Sequence, residues 1–181
     1  MAIDKITSAA LDSGVPTRAQ LPAGCVLQVA QAYKTDTQTI TSGTPTFVDI
    51  TGLTVTITPT SATSKFLITW AVVMGNGADA SHGYVRLNRD GTAIALADAA
   101  GNRTRASSAV VNTSIAGQTI TSTNSFLDSP ATASAITYKL TASNNSAGSS
   151  STFINRSSRD TDLAGYDGRA TSSLTVMEIA A

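Results

Sequence analysis

From Val26 onward, apolar and polar residues alternate with a period of two in short runs separated by turn residues, the pattern of half-buried β-strands. Val26 to Tyr33 forms the first run, and Gln38 to Thr41 follows a turn at Thr35-Asp36-Thr37. Phe47 to Ile50 comes next, and after Thr51-Gly52 the stretch Leu53 to Thr58 alternates without a fault. There the apolar side chains take one face and the threonines the other, where a branched side chain suits the pleat and its hydroxyl stays wet. Pro59 ends the run because it has no N–H for a further ladder bond.

Lys65 to Met74 is the most apolar run and predicts a central strand covered on both faces, with Trp70 in the core and a sharp exit at Gly75-Asn76-Gly77. Tyr84 to Arg89 and Thr92 to Leu96 predict a hairpin, because Asp90-Gly91 accepts the positive backbone angles of a two-residue turn. Ala97 to Ser107 reads as a long exposed loop. Ala109 to Thr113, Ser125 to Asp128, Ala135 to Ala142, Phe153 to Arg156 and Ser173 to Ile179 complete the strands, with a polar loop over Asn144 to Ser151. About eight to ten strands with irregular loops imply an all-β, two-sheet antiparallel sandwich over residues 25–181. Gln38-Thr39-Ile40-Thr41-Ser42 is echoed at Gln118-Thr119-Ile120-Thr121-Ser122, an echo that a Thr-rich alphabet also produces by chance.

Residues 1–24 behave differently. Ile3, Ile6, Ala10 and Leu11 recur with helix-like spacing, but Gly14, Pro16 and Pro22 cut the segment into pieces too short to stand alone. We read it as an attachment or oligomer-contact arm, with a frayed terminus as the alternative. No basic stretch followed by an apolar run opens the chain, and nothing approaches roughly 18 consecutive apolar residues, so synthesis in a host cytoplasm and no membrane insertion are expected.

Composition sharpens this picture. The 181 residues are rich in Gly, Ala, Ser and Thr, with 13% charged and 5% aromatic, so the core is thin. Apolar burial at about 25 cal/mol per Å² must offset about 1–2 kcal/mol of backbone entropy per residue. Extensive sheet pairing, burial against identical copies, or both can close that gap. Twelve Lys plus Arg balance twelve Asp plus Glu, which leaves no basic stripe for nucleic acid. Cys25 stands alone, so no internal disulfide forms, and a small buried hydrophobe is its ordinary role.

Candidate chemistry is sparse. His82 is the single histidine, in a turn before a strand, and no second histidine or cysteine stands near it to build a zinc site or a hydrolase centre. Asp160 to Asp167 places oxygens and a glycine partly as a calcium loop does, but Ala164 and Thr171 stand where further oxygen ligands belong. That leaves Asp160, Asp162 and Asp167 as candidates for an irregular metal site, against a solvated polar loop. Glu178 is the sole glutamate, so paired carboxylates for glycoside hydrolysis are not apparent, and no phosphate-cradling loop occurs. The triplets at Asn102, Asn112, Asn144 and Asn155 are ordinary in a chain this rich in serine and threonine. No enzyme activity and no cofactor are expected.

Three segments carry a resemblance: Leu27-Gln28-Val29 with Lys34 to Thr37, Phe47 to Pro59, and Val85 to Ile94. Together they resemble the tail-fibre and virion structural proteins of marine and other tailed bacteriophages, over most of the chain from Ala23 to Ile179. The resemblance implies a jelly-roll-like antiparallel β-sandwich, a homotrimer, and display on a virion with residues 1–24 bound to other virion proteins. It implies a tail-fibre or receptor-binding module that touches host-cell polysaccharide, with a capsid decoration or head-fibre protein as the alternative. Trimers of weak sites gain by multivalency, and the candidate ligand contacts are His82, Tyr84, Asn102, Arg103, Arg105 and Tyr166.

Overall fold

The computed structural model describes residues 21–76, 82–111, 117–145, 151–163 and 165–181. The arm's helix-spaced residues Ile3, Ile6, Ala10 and Leu11, and much of the predicted loops after Asn76 and Asn144, lie outside the described residues. Eleven strands are present in the described part: β1 (Val26–Lys34), β2 (Gln38–Ile40), β3 (Val48–Ile57), β4 (Lys65–Asn76), β5 (His82–Arg89), β6 (Thr92–Ile94), β7 (Ser108–Val111), β8 (Ile120–Asp128), β9 (Ile136–Asn144), β10 (Thr152–Ile154) and β11 (Ser172–Ile179).

They form two antiparallel sheets. In the first, β11 and β10 lie end to end along one side of β4, with β1 and β2 end to end outside them and β8 on the far side of β4. In the second, the order is β3, β9, β5, and then β7 and β6 end to end along the free side of β5. Counting each end-to-end pair as one interrupted strand, two four-membered sheets face each other and the chain crosses between them as in a jelly roll. The jelly-roll-like sandwich is therefore the architecture.

The alternation read from the sequence places the core. Phe66, Ile68, Trp70, Val72 and Met74 of β4 point inward, against Val55 and Ile57 of β3, Val85 and Leu87 of β5, and Ile136, Tyr138, Leu140 and Ala142 of β9, all buried. Each large side chain of this kind is worth about 1.5–3 kcal/mol of burial. The Asp90-Gly91 turn forms as expected, with φ of 49° and 84° at its two residues.

Three expectations are revised. Lys65 to Met74 is central but covered on one face only, because Leu67, Thr69, Ala71 and Val73 remain partly exposed on the outside of the sheet. The break expected at Thr51-Gly52 is instead a bulge within one strand, where Gly52 takes φ 86° and pairing with β9 resumes after a register shift. Finally, β8 runs from Ile120 rather than Ser125, and the reason is chemical. Ile120 and Phe126 pack against the core, but the two inward positions between them are polar and bond across the sandwich: Ser122 Oγ donates to Ser108 Oγ at 2.8 Å and Asn124 Nδ2 to Ser107 O at 2.7 Å. With Ser122 and Asn124 at successive inward positions, the apolar period is broken between Ile120 and Phe126.

The same polar closure ends in an ion pair between the sheets. Both oxygens of the buried Asp128 accept from Arg89 Nη1, at 2.8 and 2.9 Å, and Tyr138 OH donates to Asp128 Oδ2 at 2.7 Å. Burial, together with the bond to Asp128, pushes the Tyr138 hydroxyl far above its ordinary range and keeps it protonated.

Candidate functional site

Three strands are interrupted, and two of the interruptions are long excursions that carry polar chemistry. Residues 155–171 leave between β10 and β11, and residues 95–107 leave between β6 and β7. Each excursion is rooted by one buried polar residue. Asn155, fully buried with φ 63°, donates from Nδ2 to Lys34 O and Asp36 O, both at 2.9 Å, and accepts from Ser172 Oγ at 2.6 Å. Ser107 accepts from Leu87 N at 3.0 Å and donates from Oγ to Ile94 O at 3.2 Å. A Cβ on Gly75 would sit 2.5 Å from Arg156 O, so glycine there lets the first excursion cross close over β4.

The metal candidates lie on the excursion at 155–171. Asp167 accepts from Arg159 Nε at 2.7 Å, Arg159 Nη2 at 3.1 Å, Ser157 Oγ at 2.8 Å and Thr161 N at 3.0 Å. The Arg159 guanidinium, with Ser157 and Thr161, holds the Asp167 carboxyl well below the usual carboxylate range. Asp160 pairs with Arg169 at 2.8 Å and Arg156 at 3.5 Å. Guanidinium groups thus occupy the carboxylates of Asp160 and Asp167, while Asp162 is exposed. Among the described residues no group of three acids, histidines or cysteines is arranged to hold a metal ion.

The ligand candidates separate into three places. His82 and Tyr84 stack on the outer face of β5, with ring centroids 5.9 Å apart and planes 9° apart. Tyr166 is exposed on the other excursion, with the Arg159 guanidinium 5.5 Å from its ring centroid. Asn102, Arg103 and Arg105 meet in a cleft of about 340 Å³. Sequence reading missed the residue beneath them: Arg86 projects from β5 into the same cleft, over the Phe47 ring at 3.7 Å. Its signal was present in the alternation, since Arg86 shares the outer phase of β5 with His82 and Tyr84.

Glu178, the remaining acid of interest, is buried and held by Thr60 N and Thr60 Oγ1, both at 2.6 Å, and by Gln28 Nε2. Burial alone raises its pKa, but the donated bonds, Thr60 and Gln28 among them, outweigh this and lower it. It ties β1 and β11 to the turn after β3 and has no exposed face for catalysis. Among the described residues there is no catalytic constellation.

One apolar surface has no partner among the described residues. On the outer face of the first sheet the register aligns Val29, Met177, Leu67 and Leu127 in one row across β1, β11, β4 and β8. Val29 is 58% exposed and Leu127 52%, and in the neighbouring row Val26, opposite Ile179, is 51% exposed before that row reaches Lys65. The next row, Gln31, Thr175, Thr69 and Ser125, is polar, and Gln31 Nε2 donates to Thr175 Oγ1 at 2.8 Å. Both outer strands of this sheet are long, and β8 has no charge before Asp128 or β1 before Lys34. Long uncharged edges and a contiguous apolar row are features that proteins otherwise avoid exposing.

No family model matches the chain, and no curated protein matches it. Solved structures similar to it include infectious bursal disease virus of the Gx strain (TM-score 0.41, 13% identity, 84% of this chain and 40% of that one). They also include the T13 particle of the same virus (0.44, 12%, 93% and 39%) and its Gt strain (0.42, 12%, 85% and 38%). The chain spans about two fifths of the length of each.

These findings correct the resemblance drawn from the sequence. The neighbours belong to a bursal disease virus and not to the tail fibres of tailed bacteriophages, so the bacteriophage assignment and the tail-fibre, receptor-binding function are withdrawn. The error has a physical source. The segments Phe47 to Pro59 and Val85 to Ile94 encode strand alternation and a two-residue turn, which any jelly roll of this composition requires, and so they report architecture rather than lineage.

Proposed function

We propose that this chain is a non-enzymatic structural subunit of a virus particle, at or on its shell, and that it assembles with copies of itself through the outer face of the β1/β11/β4/β8 sheet. The observation that carries this reading is the row Val29, Met177, Leu67 and Leu127 in register across that sheet. A row of this kind left in water costs free energy that burial against a second copy recovers at about 25 cal/mol per Å². Jelly-roll sandwiches serve as subunits of viral shells, where the sandwich supplies rigidity and its faces supply the contacts. Within this reading residues 25–181 form the sandwich, residues 1–24 dock on other virion proteins, and three copies close into a ring that hides sheet edges.

Light scattering of the purified chain tests the assembly, with a mass well above the 18.4 kDa of a single copy as the expected result. Leu127→Asp and Val29→Asp alter side chains more than half exposed, so they leave the fold intact and return the protein to single copies. A wild-type chain that stays a single copy at every concentration would remove the proposal. Deleting residues 1–15 and assaying incorporation into particles tests the arm; retention of normal incorporation would exclude that role.

A further inference from the structure

Among the described residues the arginines divide into two sets. Arg89, Arg156, Arg159 and Arg169 each pair with an aspartate. Arg86, Arg103 and Arg105 share one cleft with Asn102 and Thr104, and no acidic side chain among the described residues pairs with any of them. Asp98, on the same excursion, forms no ion pair with them either. Bringing like charges together without a counter-charge is unfavourable, and it is tolerated where a ligand supplies the missing charge.

The three side chains are also positioned. Arg86 Nε donates to Arg105 O at 2.8 Å, Arg105 Nε to Ala97 O at 2.7 Å, and Arg103 Nη1 to Ala100 O at 3.2 Å. Phe47 supports the Arg86 plane from one side. Backbone carbonyls thus engage one nitrogen of each guanidinium and orient the fork, leaving terminal N–H groups of Arg86 and Arg105 for an acceptor. Ala97 N donates to Ala106 O at 3.2 Å and Ser107 N to Val85 O at 2.9 Å, which closes the excursion into a fixed frame. Partial burial, and then the Arg105 charge, lower the Arg86 pKa, the direction expected of a cation whose surroundings lack an anion.

We propose that the cleft is an oxyanion-binding site, in which the forks of Arg86, Arg103 and Arg105 take a phosphate, sulfate or carboxylate group. Planar guanidinium forks match such groups in two-point hydrogen bonding. Asn102 and Thr104 add neutral polar groups at the cleft wall. The site is open to solvent, so binding weakens as salt rises, and a dissociation constant on the order of 1 mM is expected at low ionic strength.

The test is amide and arginine-side-chain NMR of the full chain, titrated with inorganic phosphate, sulfate and acetate at ionic strength held constant with chloride. The expected result is saturable shifts for at least one of the three anions, confined to Arg86, residues 102–105 and their neighbours. Arg86→Ala and Arg105→Gln each weaken that binding by about tenfold or more, while Arg169→Ala leaves it unchanged. Arg105 is exposed, so its substitution keeps the test valid even if the Arg86 variant folds poorly. Shifts that match those of chloride alone, or wild-type binding by the Arg105→Gln protein, would overturn the proposal.

Discussion

The excursions at 155–171 and 95–107 interrupt equivalent-looking strands, one in each sheet, yet they solve the same electrostatic problem in opposite ways. The first carries Arg156, Arg159 and Arg169 with Asp160 and Asp167 and neutralises itself internally. The second brings Arg103 and Arg105 to Arg86 and leaves all three without a carboxylate among the described residues. An internally paired loop gains rigidity from its own charges and has little left to offer a ligand. An unpaired one must be held by backbone carbonyls and by its root, and its charge stays available. Both excursions are rich in arginine, and only the placement of aspartate separates a structural brace from a candidate site.

The comparison breaks most severely at the root of the first excursion. Asn155→Ala removes the two bonds to Lys34 O and Asp36 O and the acceptor of Ser172 Oγ, at a fully buried position with positive φ. A loss of about 3 kcal/mol or more is expected, seen as a fall of about 6–12 °C in thermal unfolding. A variant within 2 °C of the parent, measured as roughly under 1 kcal/mol, would show that this root carries no special weight.

Acid sharpens the contrast next. Asp167 has its folded pKa depressed by Arg159, so its contribution is fully present above the unfolded aspartate value of about 3.9 and is lost as pH falls through the lower folded value. Hydrogen exchange at residues 157–161 should lose protection as pH drops below about 4, by roughly tenfold, while residues 103–106 keep theirs. Equal loss in both excursions would dissolve the distinction.

The root of the second excursion is lighter. Ser107→Ala forfeits the bonds to Leu87 N and Ile94 O and is expected to cost about 1 kcal/mol, a shift of about 2–4 °C. A shift as large as that of Asn155→Ala would mean the two roots are equivalent. The smallest effect is expected from Arg169→Ala, whose side chain is 56% exposed and whose pair with Asp160 is shared with Arg156. Its loss should lie within about 0.5 kcal/mol by denaturant titration; a larger one would make the first excursion's ion-pair network cooperative.

Much of this architecture was legible residue by residue. Leu53, Val55 and Ile57 fixed the inner face of β3, and Asp90-Gly91 fixed the hairpin between β5 and β6, because backbone sterics and a period of two act locally. Asn102, Arg103 and Arg105 were readable as candidates because they cluster in one polar loop. The alternation marked Arg86 as an outward position of β5, but not its place beside them, since 16 positions separate it from Asn102 and the pairing of β5 with β6 and β7 brings them together. The polar inward positions of β8 were illegible for the same reason: Ser122, Asn124 and Asp128 bond across the sandwich to Ser108, Ser107 and Arg89, far away in sequence or on other elements.

The chain by itself thus determined which residues extend, where they turn and which face of most strands turns inward, all consequences of steric and solvation preferences over a few neighbouring residues. Tertiary structure alone decided that Val29, Met177, Leu67 and Leu127 fall in one row, that the aspartates at 160 and 167 are spent on arginines, and that Arg86, Arg103 and Arg105 are not so paired. Strand register and sheet order set those distances, and register depends on pairings between segments far apart in sequence, so no local pattern contains it.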